Sequence, residues 1–185
     1  YNNGITGKDT LFIQKASVTV TAVNHGINGK DSLTIKDADI TVTSGGDALR
    51  SANDSDTTLG YLVITGSALK LTAGEDGIQA ETTLTISGGT ATVTTAGGAG
   101  QSISDDTSAK GLKAGTQVTV TGGTFQLNCC DDAIHSNGDV TISGGSFTIA
   151  TGDDGMHADD TLSISSGTID ITRSYEGLEG AKVLI

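Results

Sequence analysis

Acids recur in this chain two positions ahead of an apolar residue. Glu75-Asp76, Asp131-Asp132 and Asp153-Asp154 come as pairs, while Asp47 and Glu176 stand alone in the second position. Three residues after that second position the chain carries, in order, Arg50, Gln79, Lys113, His135, His157 and Glu179. Carboxylates gathered at one place suit a hard cation such as Ca2+, which takes about six to eight oxygen ligands. A guanidinium, an amide, an ammonium and two imidazoles in one line suit an anionic or polyhydroxyl chain, because Arg offers paired donors to a carboxylate.

Both sets can act together only if the chain brings them into register, and an internal repeat does that. The segments NNGITG, NHGING, GDALRS, EDGIQA, AKGLKA, DDAIHS, DDGMHA and YEGLEG are copies of one another. Their apolar residues, Ile5, Ile27, Leu49, Ile78, Leu112, Ile134, Met156 and Leu178, are spaced by 22, 22, 29, 34, 22, 22 and 22. A fixed period of this length marks a stacked-repeat architecture. Within a repeat, apolar and polar residues alternate in three short runs, for example Ala133 to Ser136, Val140 to Ser143 and Ser146 to Ile149. That alternation means strands. Three strands of about four residues with Gly-rich corners, such as Gly88-Gly89, Gly122-Gly123 and Gly144-Gly145, make one rung of a parallel β-helix. The expectation is an all-β parallel β-helix of about eight rungs, one domain over residues 1–185, with loop insertions at about 51–61 and 95–109.

Stacking equivalent residues sets Asp47 beside Asp76, and Asp132 between Lys110 and Asp154. Like charges about 5 Å apart repel by roughly 3 kcal/mol at an effective dielectric of about 20. Bound Ca2+ relieves this, with one site expected among Asp131, Asp132, Asp153 and Asp154 and another among Asp47, Glu75 and Asp76. The insertions add Asn53, Asp54, Asp56, Asp105 and Asp106 as further oxygen donors.

The two insertions flank the same strand, one following it and one preceding it, so they are expected to wall a cleft over Arg50, Gln79 and Lys113. Tyr61, in the first insertion, is the aromatic placed to stack on a sugar ring; His135 and His157 extend the stripe and stack one rung apart. If the cleft is a lyase site, Lys113 or Lys110 is the candidate base. Threonine pairs such as Thr19/Thr21 and Thr41/Thr43 are similar to the flat arrays of ice-binding solenoids, but Lys70, Gln126 and Asp170 interrupt them.

The net charge of −12 repels nucleic acid and anionic lipid and attracts divalent cations, and no apolar run reaches membrane-spanning length. The partner expected is therefore a polysaccharide, with neither nucleic acid nor membrane insertion. Cys129 and Cys130 are adjacent, which argues against a conventional disulfide framework. Tyr1 opens inside one repeat and Ile185 closes inside another, so head-to-tail self-association into a filament or surface adhesin is a competing structural reading.

Repeats of the form D-D-G-[IM]-x-A followed by [LV]-[TS]-I-S-G-G-[ST] resemble a family of secreted bacterial carbohydrate-binding-domain proteins with a fold similar to pectate lyases. The resemblance is strong from Glu75 to Glu179 and looser from Asn2 to Gly74. It implies a right-handed parallel β-helix, bound calcium, a secreted or cell-surface location, and affinity for plant cell-wall polysaccharides, including acidic ones. By motif, the implied metal ligands are Glu75, Asp76, Asp131, Asp132, Asp153 and Asp154. The AKGLKA repeat departs from the acidic pattern at Lys110.

Overall fold

The computed structural model describes residues 2–104 and 106–185. Among them the chain forms 19 strands and no helix, and every strand pairing is parallel. The period-two alternation is the cause. Leu33 and Ile35, Leu62 and Ile64, and Leu84 and Ile86 are buried, while Thr34, Val63 and Thr85 between them stay partly open. Burial of each such Leu or Ile contributes about 1.5–3 kcal/mol.

Each strand pairs with its equivalent one repeat away. Ile5, Ile27, Leu49, Ile78, Leu112, Ile134, Met156 and Leu178 are successive register partners, forming one column. Insertions leave the column intact: Leu49 still pairs with Ile78, and Ile78 with Leu112. Like therefore packs on like inside, as where the rings of Phe125 and Phe147 stack with centroids 4.6 Å apart and planes within 7°.

Two details differ from the sequence expectation. The first strands are three residues long in six repeats, as in Ile27–Gly29, because the buried Ser51, Ala80, Ala114 and Ser136 end the strand at a corner. In two repeats the second and third strands merge, as Thr83–Thr95 and Gln117–Cys129. There the Gly-Gly pairs sit inside a strand as a bulge instead of ending it, with Gly88 and Gly89 at φ 75° and 87° and a register shift around Ser87. The equivalent of Gly88 is Lys15 in the first repeat and Asp37 in the second, both left-handed at φ 50° and 49°. The same conformation recurs at Gly66, while in the fifth, sixth and seventh repeats it falls one residue later, at Gly123, Gly145 and Gly167.

Candidate functional site

The second acidic position lies just ahead of the first strands. Asp47, Asp76, Asp132 and Asp154 are all buried there, at 5% exposure or less. Each uses Oδ1 to accept the backbone N–H of the equivalent residue one repeat on. Asp76 N donates to Asp47 at 3.1 Å, Lys110 N to Asp76 at 2.8 Å, Asp154 N to Asp132 at 3.0 Å and Glu176 N to Asp154 at 3.1 Å. The first duty of these acids is to complete the stacking by satisfying a buried donor. Sequence reasoning missed this role. The signal available was that Asn3 and His25, also hydrogen-bond acceptors, fill the same position and do the same for His25 N and Asp47 N.

The other carboxylate oxygen meets the stripe. The register partners Asn28, Arg50, Gln79, Lys113, His135, His157 and Glu179 run in one line, as expected. Asp47 Oδ2 lies 3.7 Å from Arg50 Nε and 3.2 Å from His25 Nδ1. Asp76 Oδ2 is 3.2 Å from Lys113 Nζ. Asp132 Oδ2 is 3.2 Å from Lys110 Nζ and 2.8 Å from His135 Nδ1, and Asp154 Oδ2 is 3.4 Å from His157 Nδ1. The ladder and the stripe are thus one site, in which the chain's own cations face the acids that stacking brings together.

Electrostatics divide this site along its length. Burial works to raise the Asp132 carboxyl, but the His135 hydrogen bond and the Lys110 charge outweigh it and hold it at about 2. Burial likewise opposes the charge on Lys110, yet its bonds to Asp131, at 2.6 Å, and to Asp132 leave the ammonium pKa raised. One repeat further on the balance reverses. Burial and then the neighbouring Glu179 push Asp154 up to about 6, and burial with the Asp132 and Asp154 charges raises Asp153.

Over the middle repeats lies a cleft of about 270 Å³. Arg50, Gln79 and Lys113 form its floor, Asp47, Glu75 and Asp76 one side, and Asp106, Thr107 and Ser108 of the 95–109 insertion the other. Ser108 anchors that loop: its hydroxyl donates to Asp76 Oδ1 at 2.7 Å and accepts from Lys113 Nζ at 3.0 Å. The carboxylate of Asp106, hydrogen-bonded by Ser104, is held below its usual range. Asp105 lies outside the described residues.

The 51–61 insertion does not line this cleft, contrary to expectation. It leaves the far end of its first strand and closes on itself: Asn53 donates to Asp31 Oδ1 at 2.7 Å and accepts from Ser55 N and Asp56 N, while Asp56 accepts from Thr58. Asn53 and Asp56 are spent on loop closure. Tyr61 opens the strand Tyr61–Thr65 beside Ser32, away from the cleft lining. At that edge stands a residue that sequence reasoning overlooked, Glu81, which accepts from Gln79 Nε2 at 3.0 Å and from Arg50 Nη2 at 3.5 Å.

Of the expected metal donors, Asp131, Asp132 and Asp153 do come together, with one ligand atom from each within 4.8 Å of the others, but Lys110 Nζ sits beside the first two. Asp154 groups instead with His157 and Glu179. Asp47 and Glu75 group with His25, while Asp76 is engaged by Lys113, Ser108 and Lys110 N. Three neighbouring stripe atoms, Asn28 Oδ1, Arg50 Nε and Gln79 Oε1, are buried without a hydrogen-bond partner among the described residues. Such groups ordinarily find one.

The fold is thus an all-β stack of parallel strands that carries a polar groove. Residues 1–155 match the family described as carbohydrate-binding domain-containing protein, and the chain belongs to that family. Among solved structures it resembles a polysaccharide lyase-like protein from C. thermocellum, solved as a gadolinium derivative, at 18% identity and a TM-score of 0.57 over 100% of this chain and 84% of that one. No curated protein matches it.

Proposed function

We propose that the protein binds polysaccharide along the stripe, with Arg50, Gln79 and Lys113 as the central contacts under the 95–109 loop. The observation that carries this reading is the cleft of about 270 Å³ whose lining brings Arg50, Gln79 and Lys113 together with Asp106, Thr107 and Ser108 of the 95–109 loop. A sugar chain offers hydroxyls that can both accept from and donate to these side chains. Membership of the carbohydrate-binding family supports the same conclusion.

The finer parts of the reading go together. The glycan we propose is acidic, because Arg50 and Lys113 supply the positive charge of the floor. Calcium is the ion we propose for the oxygen cluster of Asp131, Asp132 and Asp153, where the Lys110 ammonium marks a place that favours positive charge, and for Asp47 with Glu75, where a sugar carboxylate would complete the shell. We take the coil to be a right-handed parallel β-helix, the hand that parallel crossovers favour, working outside the cell on wall polymers.

A lyase needs a neutral base. Lys110 is bonded to Asp131 with its pKa raised, so it is placed to act as a cation instead, and the Lys113 Nζ is engaged by Asp76 and Ser108. Head-to-tail association rests on an apolar hollow of about 350 Å³ lined by Ile164, Ile169, Ile171, Leu178 and Ile185, which a second copy would cover. A monodisperse monomer in light scattering would remove that addition.

Calorimetry with polygalacturonate and with a neutral β-glucan, each with and without Ca2+, tests the main proposal. Calcium-dependent heat with the acidic polymer is expected, together with no growth in the ultraviolet absorbance of unsaturated uronides. Equal silence with both polymers would end the reading.

A further inference from the structure

Beyond the cleft, the stripe carries two histidines, His135 and His157, whose surroundings differ from those of the third, His25. Asp47 N donates to His25 Nδ1 at 3.1 Å, and Arg50 Nη1 lies 3.0 Å from its Nε2. A donor therefore faces each of its nitrogens, and the nearby Asp47 Oδ2 accepts if Nδ1 carries a proton. Around His135 and His157 oxygens face every ring nitrogen. His135 Nε2 lies 2.9 Å from Asn137 Oδ1 and its Nδ1 2.8 Å from Asp132 Oδ2. His157 Nε2 lies 3.3 Å from Asp159 Oδ1, and its Nδ1 stands 3.4 Å from Asp154 Oδ2, 3.3 Å from Glu179 Oε2 and 4.0 Å from Asp132 Oδ2. A neutral imidazole has one N–H. In the metal-free chain His135 Nδ1–H bonds Asp132 Oδ2; in the other tautomer the outer Nε2–H of each ring is held by Asn137 or Asp159, both Nδ1 lone pairs point at carboxylates, and a cation belongs between them.

We propose that this end of the stripe is a transition-metal site, with His135 Nδ1, His157 Nδ1 and Asp132 Oδ2 binding a Zn2+-class ion and Asp154 or Glu179 supplying the fourth ligand. The spacing fits. Ligands about 2.0–2.1 Å from a tetrahedral ion lie roughly 3.3 Å from one another, and the separations about His157 Nδ1 are 3.3, 3.4 and 4.0 Å. Both Nδ1 atoms face Asp132 Oδ2, at 2.8 Å from His135 and 4.0 Å from His157, and one ligand atom each of Asp132, His135 and His157 lies within 4.8 Å of the others, as for Asp154, His157 and Glu179. The donor chemistry chooses the ion: imidazole nitrogen suits zinc, nickel or copper, whereas Ca2+ takes oxygen. Asn137 and Asp159 act as positioning residues, each holding the outer nitrogen as second partners do in zinc sites. Asp132 and Asp154 are already fixed through their Oδ1 atoms, so Oδ2 is presented on a rigid frame.

The test is zinc binding to the EDTA-stripped chain by calorimetry, with Co2+ as a spectroscopic probe, in the absence of any glycan and in excess Ca2+. One ion per chain is expected, with visible Co2+ bands of low-coordinate nitrogen and oxygen ligation that excess Ca2+ leaves in place. His135→Gln with His157→Gln should abolish binding while an unchanged melting curve shows the fold intact. Asn137→Ala should weaken it roughly tenfold or more. Asp153→Asn, which removes a donor of the oxygen cluster proposed for calcium and none of the zinc ligands, should leave zinc affinity unchanged. Displacement of zinc by Ca2+, zinc binding that survives the double histidine variant, or no zinc binding at all would each overturn the proposal, and the last two leave glycan recognition untouched.

Discussion

The middle and the C-terminal repeats carry the same buried aspartate in the same bond to the next repeat's backbone, yet they differ in the stripe residue that faces it. Around Asp47 and Asp76 the partners are Arg50 and Lys113, permanent cations held under the 95–109 loop. Around Asp132 and Asp154 they are His135 and His157, and the last stripe position is an acid, Glu179. One backbone scaffold thus supports a closed set of ion pairs in one place and an open set of ligands in another. The teaching is that the ladder supplies rigidity and the stripe supplies chemistry.

Removing the shared part should do the greatest damage. Asp132→Ala leaves Asp154 N without an acceptor and His135 Nδ1 without its carboxylate, and leaves Lys110 only Asp131, so a loss of about 3–5 kcal/mol is expected in denaturant unfolding. Asp132→Asn keeps an acceptor and should cost about 1–3 kcal/mol. If Asp132→Ala unfolds at wild-type denaturant, the ladder has no structural weight and the comparison fails at its base.

Removing the part that differs should change binding before stability. Arg50→Ala is expected to weaken the acidic glycan by tenfold or more, about 1.4 kcal/mol, with His157→Ala close to wild type by the same calorimetry. The reverse order would move the glycan site to the C-terminal repeats.

Acidity separates the two ends without mutation. Asp154, raised to about 6, favours the folded state when protonated; its contribution is full below the ordinary carboxylate range and disappears as pH rises through about 6. Asp132, held at about 2, contributes above the ordinary range and is lost as pH falls from about 4 toward 2. The melting temperature of metal-free protein should therefore climb from pH 7 to about 4 and drop below it. Asp154→Asn should flatten the upper limb alone.

The smallest effect expected is at the loop. Ser108→Ala removes the hydroxyl between Asp76 and Lys113 and should cost about 0.5–1.5 kcal/mol while speeding proteolysis within 95–109. Unchanged cleavage would mean that other bonds, such as that from Thr95 Oγ1 to Ala109 O, hold the wall by themselves.

By itself the sequence determined the period, the column from Ile5 to Leu178 and the stripe beside it, because parallel stacking carries a residue's place in the repeat directly into its place in space. It also placed Asp131, Asp132 and Asp153 together, and it set Arg50, Gln79 and Lys113 on one floor. What only the tertiary structure decided lies in the corners and loops, where the repeat no longer dictates position. The 51–61 insertion folds back on Asp31, Tyr61 joins a strand, and Glu81 enters from the next corner. Which oxygen of each aspartate takes the backbone N–H, and which is left for a lysine, a histidine or an ion, depends on side-chain torsions, and a string of residue types does not contain them.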